Sequence, residues 1–262
     1  TAPPMLMYEE LKKAYDAGAD RYWLLNVGDI KPMEIGMQQF FVMSWDLSAF
    51  TYENVNRYQS QWLASLYGKQ HQKDFQQILD QYYRLAWQRK PEFMGYEMEW
   101  DNDENNRLHD TDFSFENGTA QQRLADYKAI SDRVDVIQKT LPAEFRPAFF
   151  EMLGYSVKGA YQMNRKFLMA QKNHETGSEE AAREATAAFD SIVALTHIYN
   201  THLDGKWNQM MSEVPPGICA KYQEMPALVK APTAAYQLPK NQQRTEFSKK
   251  LELGKTRANA PF

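Results

Sequence analysis

Most of the chain repeats its apolar residues at spacings of three and four, which is the period of a helix with one buried face. The pattern holds with few interruptions from residue 33 to residue 204, so a helical bundle is expected there. The predicted helical segments are 3–18, 33–50, 53–68, 72–90, 120–141, 142–173 and 178–204. Two of them have a predicted inward face that is used below: in 33–50 it contains Ile35, Phe40, Phe41, Ser44 and Trp45, and in 72–90 it contains Phe75, Ile78, Leu79, Tyr82 and Leu85.

Residues 21–27, RYWLLNV, break this pattern. A short, aromatic and uninterrupted apolar run is typical of a strand buried on both faces of a parallel sheet. No other segment offers a comparable strand, so we expect its sheet neighbours to lie outside this chain. The predicted fold class is mainly α, a helical bundle preceded by the last helix and strand of a TIM-like α/β barrel.

The pattern predicts three regions. Residues 1–32 are expected to be the C-terminal piece of the barrel, 33–226 the helical bundle, and 227–262 an irregular tail or linker. The chain begins TAPP, without Met, and its predicted strand lacks neighbours. We therefore expect it to be a piece of a larger enzyme.

Composition narrows the classes of partner. The 262 residues are 43% hydrophobic and 24% charged, as in folded globular proteins. The net charge is −4 with basic and acidic residues interspersed, which argues against a nucleic-acid partner. No run approaches the ~20 apolar residues of a membrane span. A single cysteine, Cys219, excludes an internal disulfide and a cysteine-based zinc site.

Two groups of residues invite a metal interpretation, and we predict no metal site from either. The acidic segment 101–112 places oxygen ligands at several positions of a calcium loop, but Asn106 stands where the sharp turn requires glycine. His197 and His202 are five residues apart, which does not put two imidazoles on one helical face. A solvated turn and helix-end histidines are the favoured interpretations.

The junction after the predicted strand, Asn-Val-Gly-Asp, carries the most interesting polar residues. Gly28 suits a turn, Asp29 a cap, and Pro32 the first position of the next helix. Asn26 is less easily explained by local structure. At the carboxyl end of a parallel strand its amide would point to the edge where α/β domains bind ligands.

Three stretches resemble one known family. Residues 21–41, RYWLLNVGDIKPMEIGMQQFF, are similar to the signature near the end of the catalytic barrel in glycoside hydrolase family 115, the xylan α-glucuronidases. RLAWQRKPEF at 84–93 and LDGKWNQMMSEVPPGICAKYQEMP at 203–226 resemble stretches of the helical domain that follows. The resemblance rests on the order and spacing of all three stretches together.

The resemblance implies an inverting α-glucuronidase that removes glucuronic acid or its 4-O-methyl ether from glucuronoxylan or a related plant polysaccharide. It implies no metal or organic cofactor, a homodimer, and a secreted, periplasmic or cell-surface location. The catalytic acid and base of the family belong to earlier barrel strands. We therefore expect no catalytic residue in this chain, which would be inactive alone.

Two substrate-binding candidates follow from the resemblance. Asn26 corresponds to the asparagine that heads the family signature, and its expected role is hydrogen bonding, since an amide does not transfer protons at useful pH. Asp29 either lines the same pocket or only braces the loop. An alternative function for the whole chain is a non-catalytic helical module for binding or dimerisation.

Overall fold

The computed structural model describes residues 2–27, 30–91, 94, 111–211 and 228. This part of the chain is mainly helical and contains no strand. None of its helices is long and apolar enough to cross a membrane. The helices are α1 (Pro4–Asp16), α2 (Glu34–Trp45), α3 (Tyr58–Tyr67), α4 (Gln72–Gln88), α5 (Thr119–Thr140), α6 (Arg146–Phe149), a π-helix (Phe150–Gly154), α7 (Tyr155–Thr176) and α8 (Glu179–Gly205).

The chain forms two compact units. The first unit consists of Thr1–Lys90 and Ala125–Lys158, and the second of Pro91–Leu124 and Gly159–Phe262. The predicted boundaries after residues 32 and 226 separate a barrel piece, a helical bundle and a tail. This division stays a prediction. The predicted tail, 227–262, lies outside the described residues except for Leu228.

Helix α1 begins and ends as its sequence predicts. Pro4 occupies the start, where its missing N–H has no helical partner in any case. Gly18 has φ of +96°, a left-handed value that favours glycine, and its N–H donates to the carbonyl of Tyr15 at 2.9 Å. The N–H of Ala19 donates to Ala14 O at 2.9 Å, which satisfies a second carbonyl at the helix end.

An aromatic cluster lies in the core of the first unit. Phe149 packs edge-on against Tyr67, with ring centroids 5.2 Å apart, and tilted against Phe75 at 6.2 Å. The predicted stripe of α4 is confirmed for four of its five residues, which are buried almost completely, whereas Tyr82 is only partly buried. The four buried residues are Phe75, Ile78, Leu79 and Leu85.

The core of the second unit joins α5, α7 and α8. Its buried apolar side chains are Met94, Ala120, Met163, Phe167, Leu168 and Ile192. Ser178 caps α8 by accepting the N–H of Ala181 on its Oγ at 3.2 Å. Where α8 ends, Leu203 and Asp204 have positive φ, and the amide of Asn200 pairs with the backbone of Met211 through two hydrogen bonds.

The π-helix widens one turn between α6 and α7. Phe150, Glu151, Leu153 and Gly154 are all buried, a wider face than the stripe of an ordinary surface helix. A Cβ added to Gly154 would lie 3.2 Å from the ring of Phe150, so glycine permits their close approach. The wide turn therefore carries a charged side chain, Glu151, inward.

The predicted strand is not formed in the described chain. Residues 21–27 are neither helix nor strand, and Tyr22 and Leu24 are each 78% exposed. A strand needs a hydrogen-bonded neighbour, and no sheet ladder includes these residues within the described ranges. The sheet neighbours of this segment are expected outside this chain, so its burial between them stays a prediction.

Helix α2 buries a different face from the one expected. The sequence predicts a buried stripe that includes Phe41 and Trp45, but these are 58% and 91% exposed. Instead Gln39 and Met43 are buried beside the correctly predicted Ile35 and Phe40. Gln39 donates from Nε2 to Val55 O at 3.0 Å, so its polar end is satisfied inside.

Candidate functional site

Asn26 is exposed, in a segment without regular secondary structure that follows α1. The neighbouring Trp23 holds this segment: its Nε1 donates to Ala19 O at 2.5 Å, and its ring lies 6.3 Å from that of Phe40 in α2. Gly28 and the second candidate, Asp29, lie outside the described residues. Of the two predicted binding residues, the structure therefore places only Asn26, within reach of solvent.

The chain turns after this segment. The N–H of Met33 donates to Ile30 O at 3.0 Å, and the Lys31–Pro32 peptide bond within the turn is cis. Helix α2 begins at Glu34, with Met33 at its N-cap position. The prediction that Pro32 opens the helix is wrong, because Pro32 is used in the turn before it.

The turn carries a lysine shared by two carboxylates. The Lys31 ammonium lies 2.6 Å from Oε1 of Glu34 and donates a hydrogen bond to Oε2 of Glu151 in the π-helix. The Lys31 and Glu151 side chains are only 11% and 3% exposed. We call Lys31, Glu34 and Glu151 the Lys31 cluster.

Opposite charges set the protonation state of this cluster. Partial burial acts to lower the pKa of the Lys31 ammonium, but hydrogen bonds to Glu151 and Glu34 outweigh it, so the pKa is raised. Tyr67 lies nearby and donates its hydroxyl to Met152 Sδ at 3.1 Å. Burial raises the pKa of the Tyr67 phenol, and the charges of Glu151 and Glu34 raise it further. The lysine therefore stays charged through the physiological pH range.

The geometry of the Lys31 cluster suits a structural role better than proton transfer. Both carboxylate oxygens of Glu34 and one of Glu151 are inaccessible to solvent. A general acid or base must reach the reacting group directly or through one water. We therefore assign these carboxylates to holding Lys31.

Of the two groups of residues that invited a metal interpretation, the structure describes the histidines and little of the acidic segment. Among the described residues, no group of three or more His, Cys, Asp or Glu side chains could hold a metal ion. His197 is exposed, and the His202 ring lies 5.8 Å from that of Tyr199. Nearly all of the acidic segment 101–112 lies outside the described residues, so its solvated-turn interpretation stays a prediction.

Sequence reasoning missed the Lys31 cluster. Its ends are 120 residues apart, and neither hydrophobic period nor motif spacing links them. One signal was present. Glu151 stands within the apolar run Phe149–Leu153, where a charged residue on an inward face requires a partner.

Comparison with known proteins identifies the family. Residues 1–93, which include Asn26, Lys31 and Glu34, match the model described as glycosyl hydrolase family 115. The chain belongs to glycoside hydrolase family 115. Glu151 lies beyond the residues matched by the family 115 model.

A solved family 115 structure extends the likeness over most of the chain. Eleven chains of solved structures match, among them a family GH115 4-O-methyl-alpha-glucuronidase with specificity for decorated arabinogalactans. It is 32% identical, with a TM-score of 0.73 over 91% of this chain. The chain spans about 30% of that structure's length. No curated protein matches the chain.

Proposed function

We propose that the protein containing this chain is an inverting α-glucuronidase that releases glucuronic acid or 4-O-methylglucuronic acid from a plant polysaccharide. One observation carries the proposal: the fold matches a 4-O-methyl-alpha-glucuronidase over 91% of the chain. Since the likeness covers only 30% of that structure, the chemistry of the whole protein also depends on residues outside this chain.

We assign the catalytic acid and base to residues upstream of this chain. An inverting glycosidase needs two carboxyl groups ~6.5–9.5 Å apart, with room between them for the attacking water. Glu34 and Glu151 contact one ammonium group, and the Glu34 carboxylate oxygens and the Glu151 side chain are shielded from solvent, which leaves no such room. The chain by itself is therefore expected to be inactive, with no metal or organic cofactor involved.

Asn26 supplies a contact to the substrate in this proposal. Its exposed amide can donate to a uronate oxygen and accept from a sugar hydroxyl or a water. For Asp29 two alternative roles remain in the proposal: it lines the pocket, or it only braces the loop.

We also propose a secreted, periplasmic or cell-surface location, because the polysaccharide is extracellular. Fractionation of the producing cells tests this location.

The identity of the polysaccharide substrate is the more specific part of the proposal. The resemblance favours glucuronoxylan, whereas the solved relative acts on decorated arabinogalactans. The test incubates the protein containing this chain with each polysaccharide and measures the amount of uronic acid released. It also determines which anomer of the released acid forms first. We expect release with inversion from at least one of them. No release from either, or a retained anomer, would overturn the proposal, and release by the 262-residue chain alone would overturn the upstream assignment.

A second candidate function, assembly, is favoured by exposed apolar side chains in the first unit. Phe41 and Trp45 of α2 are 58% and 91% exposed, which is unusual for large apolar residues on one helix of a monomer. We propose that the helical region contributes to a homodimer. Light scattering of the chain across a concentration series tests this: a dimer that Trp45→Ser weakens supports it, and a monomer at every concentration contradicts it.

A further inference from the structure

Lys31 connects the loop that carries Asn26 to a distant helix. The two residues are five positions apart, a length of chain that spans at most ~18 Å. The Lys31 ammonium is bound to Glu151, 120 residues further along the chain. Fixing Lys31 therefore restricts the volume that the Asn26 amide can reach.

Within the described residues, regular secondary structure does not supply this restriction. Residues 21–27 form neither helix nor strand, and Asn26 itself is exposed. A loop that presents a binding group needs support from a rigid scaffold. The Lys31 cluster provides such support from two sides, since Glu34 opens α2 and Glu151 belongs to the π-helix.

The scaffold end of the contact is well fixed. Phe150 and Leu153 are buried on either side of Glu151, and Gly154 packs against the Phe150 ring. A buried carboxylate is costly without a cation, so the π-helix and Lys31 depend on each other. One-turn π-helices inside α-helices occur frequently at functional sites.

We propose that Lys31 is a positioning residue: held between Glu34 and Glu151, it fixes the loop in the position from which Asn26 binds the uronic acid. The inference rests on the proposed glucuronidase function. Lys31 does not touch the substrate in this account and acts only through Asn26.

Three variants of the protein containing this chain test the proposal. Lys31→Met keeps the length of the side chain and removes the ammonium. Glu151→Gln keeps the size and an acceptor oxygen but removes the charge, so it is the milder change if Lys31→Met folds poorly. The matched control is Lys158→Met, which removes an ion pair with Asp135 in the same unit.

Hydrogen exchange of residues 22–33 is the first measurement. We expect exchange about tenfold faster in Lys31→Met and Glu151→Gln, and unchanged in the control, because local opening becomes easier when a tether is lost. Unchanged exchange in both cluster variants would overturn the proposal.

Uronic acid release from the polysaccharide is the second measurement. We expect kcat/KM to fall about tenfold in Lys31→Met, and Asn26→Ala to cost less in that background than in the wild type. Fully additive losses would show that Lys31 does not act through Asn26 and would overturn the proposal. Should the wild type release no uronic acid, the glucuronidase function fails, while the exchange result still decides whether Lys31 holds the loop.

Discussion

Arg123 donates a hydrogen bond from Nε to Oδ1 of Asn164 over 2.6 Å, and both side chains are buried. The same guanidinium lies 4.4 Å above the ring of Phe113, and Asn164 donates from Nδ2 to Ala160 O at 2.7 Å. Asn164 thus links α7 to a buried cation of α5 within the second unit.

Replacing Asn164 should weaken the second unit markedly. Asn164→Ala removes an acceptor from a buried cation, and a hydrogen bond to a charged group contributes ~1.5–3 kcal/mol. We expect the free energy of unfolding to fall by ~2–3 kcal/mol in urea titrations. Asn208→Ala, at an exposed site of the same unit, should change it by less than ~0.5 kcal/mol. Equal effects of the two variants would contradict the prediction.

Two phenylalanines four residues apart should respond very differently to truncation. Phe149 is fully buried against Tyr67 and Phe75, whereas Phe145 is exposed. Phe149→Ala should cost ~3–5 kcal/mol of stability because it opens a cavity in the core. Phe145→Ala should cost less than ~1 kcal/mol, and thermal unfolding of the pair provides the comparison. A smaller loss for Phe149→Ala would mean that the core closes around the gap.

Lys166 should make stability depend on pH. It is fully buried, with its ammonium 4.6 Å from the ring centre of Phe167, and burial lowers its pKa to about 7. In the unfolded chain a lysine titrates near ~10.4. Between these values the unfolded state binds more protons, so the free energy of unfolding should rise with pH, by at most ~1.4 kcal/mol per pH unit.

Substitution isolates this contribution. Lys166→Met should be more stable than the wild type at pH 7, and its advantage should shrink as the pH approaches 10. Urea titrations at several pH values measure the difference. The exposed Lys206→Met serves as the control, and a constant difference for Lys166→Met across the series would refute the assignment.

Changes at Asn26 should affect activity more than stability. In the protein containing this chain, Asn26→Ala should lower kcat/KM for uronic acid release by about 10- to 100-fold, the equivalent of one hydrogen bond to a charged group. Asn26→Asp should lower it further, since it places a negative charge where a uronate binds. Initial rates with Asn208→Ala as the control measure both. Unchanged turnover in the Asn26 variants would remove this residue from the site.

Helices with one apolar stripe could be predicted from the sequence, and helices apolar on all sides could not. In α4 the stripe through Phe75, Ile78 and Leu85 stands out from polar neighbours, and these residues are buried. In α2 bulky apolar residues occupy several faces, so periodicity cannot choose the buried one, and Trp45 proves exposed. The choice of face depends on neighbours such as Val55, whose carbonyl accepts from Gln39.

The candidate site divides in the same way. Asn26 could be named as a candidate because its neighbours form a contiguous signature, and its binding role stays a prediction. The Lys31 cluster could not, since it depends on how a π-helix rotates Glu151 inward far along the chain. A local sequence pattern does not predict a contact between two residues as far apart in the chain as Lys31 and Glu151. The sheet neighbours expected for segment 21–27 could not be named for a related reason, because pairing depends on partners that a single strand sequence does not show.

A side chain near the end of α8 holds the backbone of a residue beyond the helix. Asn200 Nδ2 donates to Met211 O at 2.7 Å, and Met211 N–H donates to Asn200 Oδ1 at 2.9 Å. The side-chain amide thus exchanges two hydrogen bonds with one residue, as a residue of a neighbouring strand does in an antiparallel sheet, although the described chain has no strand. These two hydrogen bonds hold Met211, the residue at which this described range ends, against the last turns of α8.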